Sequence, residues 1–370
     1  MKTWKEAPTP VLVLDLEKMN RNIERMAASA RKNNVKLRPH IKTHKSLEVA
    51  KRQIHAGATG LTVATLSEAE VFQNAGFDDL LVAFPLRSEE KIARFVALAK
   101  RGRLIATIDD IVQAGRLDEA AATAGMRVEV WVKVNSGLNR CGVDPGEEAV
   151  SLVKDIAPLQ ALQVTGLYTH AGHAYGAGAQ EDRERIAKEE AEAVVRSAEA
   201  CENAGFPIEN RSVGSTPTYE WSGAYDGITE VRPGNAVFFD GVQEGLGVCT
   251  MDECALTVTA SVVSGKKDRL IVDAGSKSLT LEKGAHGNAS VTGFGTIVEP
   301  VTLAGKSLTR LSEEHGILDF PDGAPAITDE VIRIIPNHAC TAVNLYDHYL
   351  VVEGDTIADR WPVDARGCNT

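Results

Sequence analysis

Residues 11–42, VLVLDLEKMNRNIERMAASARKNNVKLRPHIK, change hydrophobic period twice. Val11–Asp15, preceded by Pro8 and Pro10, is a short apolar run of the kind that forms a buried strand. In the LEKMNRNIERMAASARKN that follows, Met19, Ile23, Met26 and Ala30 recur at helical spacing with charged residues between them. KLRPHIK returns to strand character, so the stretch reads strand, helix, strand, with Val11–Asp15 as the first strand of the series.

The rhythm continues outward through a helix at LEVAKRQIHAG, a strand at GLTVA, a helix at SEAEVFQNAG, a strand at DLLVAFP and a helix beginning near Ser88. Further strands are expected at 104–108, 128–134, 164–169 and 228–231. Alternating strands and helices joined by short connections predict a parallel α/β architecture, and the strand count favours a closed TIM (β/α)8 barrel over a small open sheet. After about Gly241 the pattern changes. ALTVTASVVSGKKDRLIVDAG sets two β-branched runs about a Gly-Lys-Lys-Asp turn, and NASVTGFGTIVEPVTLAG continues in short strand-like units. The expected division is a barrel over 8–240 and a C-terminal β-rich domain over 241–370, with residues 1–7 joining the second.

Composition narrows the class. With 370 residues, 44% hydrophobic and 25% charged, the chain is an ordinary globular sequence large enough for two domains. Forty Lys+Arg against 51 Asp+Glu give a net charge of −11, which disfavours a nucleic-acid partner. Six cysteines without a close pair fit a reducing compartment better than a disulfide framework. Neither a secretory signal nor an uninterrupted membrane-spanning stretch is legible, so cytoplasmic residence without a membrane partner is the expectation.

Several segments carry chemistry. RPHIKTHKS contains Arg38, His40, Lys42, His44 and Lys45 where a barrel strand would reach its active rim. A lysine there can form a Schiff base with an aldehyde cofactor, and strand-like alternation after Ile41 prefers Lys42 to Lys45. VGSTPTY offers amides and hydroxyls at Gly214, Ser215, Thr216 and Thr218 to a phosphate, and Gly234 in EVRPGNAVFFD makes a second glycine turn. GLYTHAGHAYGAG places His170, His173 and Tyr175 beyond another strand, and KVNSGLNRCGV places Asn139 and Arg140 similarly, a set suited to an anionic ligand. In PNHACTAVN, extended backbone would turn His338 and Cys340 to one face, where imidazole and thiolate can bind zinc.

Together, from TPVLVLDL to the HAC segment, these motifs resemble the alanine-racemase-like pyridoxal-phosphate (PLP) family of D-serine dehydratase, D-threo-3-hydroxyaspartate dehydratase and D-threonine aldolase. The resemblance implies a PLP-binding barrel followed by a β domain, usually working as a homodimer. It makes Lys42 the Schiff-base lysine, Arg140 the partner of the phenolic oxygen and Tyr175 that of the pyridine nitrogen. Gly214, Ser215 and Thr216 become the phosphate turn, Gly234 and Asn235 weaker contacts, and His338 with Cys340 the metal pair. His40 and His315, the latter in EEHG, become pocket candidates, and His173 a conceivable base. His-x-Cys resembles zinc-dependent dehydratases, and a thiolate favours zinc over manganese or magnesium. The implied reaction is dehydration of a D-β-hydroxyamino acid such as D-serine, D-threonine or D-threo-3-hydroxyaspartate to a keto acid and ammonia. The alternative is aldol cleavage to glycine and an aldehyde.

Overall fold

In the computed structural model, which describes residues 2–284, 288–325 and 330–370, two sheets share the chain. The first contains β2 (Lys36–Leu37), β3 (Leu61–Val63), β4 (Asp79–Val82), β5 (Arg103–Ile108), β6 (Val128–Lys133), β7 (Leu162–Tyr168), β8 (Asn210–Val213) and β9 (Glu230–Val231). Every pairing in it is parallel, in the order β2-β9-β8-β7-β6-β5-β4-β3. The ends of this row meet, since Thr59 N donates to Leu37 O at 2.8 Å and Thr62 N to Pro39 O at 2.9 Å. The curled α/β sheet followed by a β-rich unit is the architecture expected from the alternating pattern.

The strand side chains divide between two surroundings, as a period of two requires. Leu80, Val82, Leu104, Ala106, Val130 and Val132 pack into the large core shared with the helices, whereas Leu81, Ile105, Trp131 and Tyr168 make a separate cluster. That cluster is the apolar filling of the barrel. Helix starts follow ordinary capping chemistry, with Asp15, Thr65, Ser88 and Asp110 each accepting from a first-turn backbone N–H.

The second sheet contains β10 (Leu256–Gly265), β11 (Arg269–Val272), β12 (Thr296–Glu299), β13 (Arg310–Leu311), β14 (Gly316–Asp319), β15 (Val331–Ile335), β16 (His348–Glu353) and β17 (Thr356–Pro362). It also takes β1 (Val11–Asp15), which pairs antiparallel with β10 (Val11 opposite Thr259) and parallel with β16 (Val13 opposite Leu350). The first strand is therefore not a barrel strand, and more than residues 1–7 joins the second sheet.

Asn210–Val213 takes its place in the barrel. NRSV lacks an apolar signature because its inward group serves a polar network: Ser212 Oγ donates to Glu230 Oε1 at 2.8 Å and accepts from Arg232 Nε at 2.8 Å. Glu230 in turn accepts from Arg38 Nε at 2.9 Å. Among the described residues no helix is long and apolar enough to cross a membrane.

Candidate active site

The C-terminal ends of the barrel strands and one segment of the second unit enclose a cavity of about 240 Å³. Lys42 lines it from a short 3-10 turn, Ile41–Thr43, whose N-cap is His40. Lys42 Nζ makes no hydrogen bond or ion pair with another described residue. Burial pushes its amine below the ordinary lysine value, helped by Arg140 and Lys133 and opposed by Cys340 and Glu68.

Beside it, His40 Nδ1 accepts from Lys42 N at 3.4 Å, and burial and then Lys42 hold its imidazole well below the usual value. His170 Nδ1 lies 2.7 Å from Gly214 O, which can only accept, so Nδ1 carries the proton and Nε2 a lone pair. Burial, followed by the nearby Lys42, keeps this imidazole neutral as well.

The expected phosphate turn follows β8. Ser215 and Thr216 line the cavity, and Ser215 Oγ is buried without a partner among the described residues, the kind of orphaned donor an anion would satisfy. Thr216 Oγ1 accepts from Ala236 N at 3.1 Å, tying the turn to Asn235 and Gly234. Gly214 itself lies behind the lining. Its N–H donates to the buried Glu190 at 3.0 Å, and that carboxylate also accepts from Ala171 N at 3.0 Å and Thr218 Oγ1 at 2.8 Å.

Gly214 has φ of 153°, and a Cβ there would lie 2.7 Å from Arg232 N. Gly214→Ala should therefore cost about 1–3 kcal/mol of stability, as overpacking against backbone does, and weaken cofactor binding. Denaturant midpoints and a cofactor titration would check both; wild-type values for both would refute it.

Arg140 reaches the cavity from the tip of loop 135–143. Asn135 Oδ1 accepts from Gly137 N at 3.2 Å and Asn139 N at 3.0 Å, and Gly142 N donates to Asp109 at 3.1 Å, which fixes the loop. Tyr175 also lines the cavity, half-buried, and burial raises its phenol. His173 does not line it; its ring packs against Gly137. His315 is exposed between β13 and β14, apart from the other candidates.

The second unit supplies His338 and Cys340. The backbone is not extended through both: His338 is the N-cap of the short helix Ala339–Val343, and the helical turn brings Cys340 to the same cavity. His338 Nδ1 lies 2.7 Å from Glu282 Oε1, which leaves Nε2 for the cavity side. Burial alone would raise the Cys340 thiol, but His338, Lys42 and Thr43, the last with its hydroxyl 3.2 Å from Sγ, hold it below the ordinary value. Burial would lower the His338 imidazole, and Cys340, Glu282 and Asp240 instead hold it well above its usual value.

A thiol inclined to ionise, facing an imidazole oriented by a carboxylate, is a donor set that suits zinc. Among the described residues no group of three or more His, Cys, Asp or Glu gathers that could hold a metal.

Several contributors lay outside the sequence candidates. Lys133 and Arg232 line the cavity. Glu282 orients His338, and buried Asp240 accepts from Asn235 Nδ2 at 2.5 Å and Ala339 N at 2.8 Å, joining the barrel's last loop to the His-Cys segment. Lys133 and Arg232 could have been flagged as charges ending strand-like runs; Glu282 and Asp240 carried no local signal.

Comparison with known proteins agrees with this fold. Residues 14–241 match the family described as "Alanine racemase, N-terminal domain", and residues 255–352 match "Putative serine dehydratase domain". The chain is 35% identical to D-threo-3-hydroxyaspartate dehydratase of Delftia sp. (strain HT23), covering 95% of this chain and 96% of that one. It is 31% identical to D-threonine aldolase of Arthrobacter sp., over 97% of this chain and 93% of the relative. A solved D-threo-3-hydroxyaspartate dehydratase, a cysteine-to-alanine mutant in the metal-free form, superposes with a TM-score of 0.91 at 33% identity, covering 98% of this chain and 99% of that one. Fold, cavity and relatives together place the chain in the alanine racemase N-terminal domain family, in the branch where a serine dehydratase domain follows the barrel.

Proposed function

We propose that this protein is a PLP- and zinc-dependent lyase that converts a D-β-hydroxyamino acid, such as D-serine, D-threonine or D-threo-3-hydroxyaspartate, to a keto acid and ammonia. The observation that carries this reading is one cavity lined by Lys42, Arg140, Ser215 and Thr216 on the barrel side and by His338 and Cys340 on the other. The proposed units are a barrel ending near residue 240 and a β-rich unit from 241 that carries the metal pair. When bound, PLP supplies an electron sink for charge developing at Cα, and zinc supplies Lewis acidity for the departing β-hydroxyl.

Lys42 Nζ would hold the cofactor's aldehyde carbon, and the same amine, when not so bonded, would be the acceptor of the α-proton. Burial lowers the proton affinity of this amine, which favours its neutral, basic form more than in a solvated lysine. Ser215 and Thr216 would hold the phosphate, with Gly234 and Asn235 closing behind it. Arg140 would bond the phenolic oxygen and Tyr175 the pyridine nitrogen, which a phenol would leave less positively charged than a carboxylate partner would. The neutral His40 and His170 add no positive charge beside Lys42. His338 and Cys340 would hold zinc, with manganese or magnesium less suited to the thiolate. His173 and His315 receive no catalytic role, since neither lines the cavity.

Exposed Phe84, Ile111 and Val112 follow β4 and β5, and Phe84 lines a chamber that shares Lys42 and Arg140 with the cavity, which supports a homodimer covering this rim. All six cysteines are unpaired, which supports a reducing, cytoplasmic setting.

The test is product identification by mass spectrometry on PLP- and zinc-loaded protein given D-serine, D-threonine and D-threo-3-hydroxyaspartate beside their L counterparts. Keto acid and ammonia from a D substrate are expected. Glycine and an aldehyde would replace dehydration with aldol cleavage at the same site.

A further inference from the structure

The segment RPHIKTHKS carries two lysines with opposite surroundings. Lys42 faces the cavity with its Nζ unbonded by described residues, while Lys45 is 5% exposed and turned away from it. Lys45 Nζ lies 2.8 Å from Glu68 Oε1 and donates to Ala365 O at 3.3 Å and Cys368 O at 3.2 Å. An ammonium has three donors, and these are three acceptors.

The backbone engages the same partners. Ala365 N donates to Lys45 O at 3.0 Å, and Leu47 N donates to Asp364 Oδ2 at 2.8 Å. Glu68 Oε2 accepts from Ala64 N at 2.7 Å, just beyond β3. Residues 365–370 are anchored again where Thr65 Oγ1 donates to Cys368 O at 3.0 Å and Ser67 N to Thr370 O at 2.8 Å.

Lys45 also has φ of 49°, a left-handed conformation that a lysine keeps only where its surroundings over-determine it. Its N–H donates to Ile41 O at 2.8 Å, so this residue closes the turn that carries Lys42.

We propose that Lys45 and Glu68, clamped by the carbonyls of residues 365 and 368, are positioning residues that hold the Lys42 turn in register with the cavity. The proposal rests on the reading of Lys42 as the cofactor-bearing lysine. Its chemical content is a division of labour: one lysine faces the cavity unbonded by described residues, and the other, fully bonded, holds the turn that carries it.

Borohydride reduction and peptide mapping of the unaltered, PLP-loaded protein tests the reading of Lys42 by itself, and label on Lys42 is expected. Two variants test the clamp: Lys45→Gln, and a chain ended after Gly367, which removes the Cys368 acceptor and the Thr370 anchor. In both, the absorbance band of the lysine-bound cofactor should form about 10- to 100-fold more slowly and kcat should fall in proportion, with KM unchanged, as expected for a displaced reacting group. Lys45→Arg should recover most of the loss.

Label on Lys42 together with wild-type band formation and kcat in both variants, whatever their melting temperatures, overturns the clamp alone. Label on Lys45 or no labelled lysine overturns both readings. Should neither variant fold, hydrogen exchange on the unaltered protein decides: segments 41–47 and 365–370 should gain protection together on PLP binding, and protection confined to 41–47 refutes the proposal.

Discussion

Lys42→Ala should bind substrate and fold normally yet lose about a thousandfold or more of its turnover, because the variant removes the amine proposed to bear the cofactor and accept the α-proton. The expected spectroscopic companion is loss of the lysine-bound cofactor band, with free PLP remaining. The same change should not lower the melting temperature at neutral pH.

The sign follows from linkage. Burial lowers the folded-state amine below its unfolded value, so the unfolded chain binds more protons. That penalty on the folded state is fully present below the folded pKa and disappears as pH rises through the unfolded one, and the alanine variant lacks it. Scanning calorimetry beside a product assay would check both halves. Normal turnover in Lys42→Ala would exclude the Schiff-base mechanism.

The second large effect belongs to the His-Cys pair. His338→Ala and Cys340→Ala should each reduce bound zinc from stoichiometric to near zero and lower dehydration by about 100- to 1,000-fold, the equivalent of a few kcal/mol of lost Lewis-acid stabilisation. Extensive chelation of the unaltered protein should reproduce the loss, and zinc should reverse it there but not in the variants. Elemental analysis by mass spectrometry supplies the metal count. Full zinc occupancy in either variant would place the ion elsewhere.

Legibility in the sequence followed how local each signal was. The helix with Met19, Ile23, Met26 and Ala30 was plain because its stripe faces the core, and all four residues are buried. Val11–Asp15 was equally plain as a strand but silent about its sheet, since its partners lie near Thr259 and Leu350. Asn210–Val213 escaped because a barrel strand that feeds Ser212 into a Glu230–Arg232 network has no reason to look apolar.

The site shows the same divide. Lys42, Arg140, Ser215, Thr216 and Tyr175 sit in compact motifs, and all line the cavity. His173 and His170 could not be separated by spacing, because the 3-10 turn Gly172–Gly176 breaks the regular geometry that spacing assumes. Glu190 and Glu282 were invisible for another reason: each acts through a residue far along the chain, at Gly214 and His338.

The place of β1 carries a consequence for biosynthesis. It lies between β10 and β16, and where the chain leaves the second sheet for the barrel, Asp15 N bonds Ala255 O at 2.9 Å. During translation the first strand emerges long before either neighbour exists, and loop-closure entropy for such distant pairing must be met before its contacts help. Until β10 and β16 leave the ribosome, Val11, Leu12, Val13 and Leu14 form an apolar strand with both edges open, the exposure on which chaperones and aggregation compete. The barrel is thus inserted in sequence between the first strand of this sheet and its other eight, and a nascent chain that stalls before residue 256 would carry a ready template for mispairing.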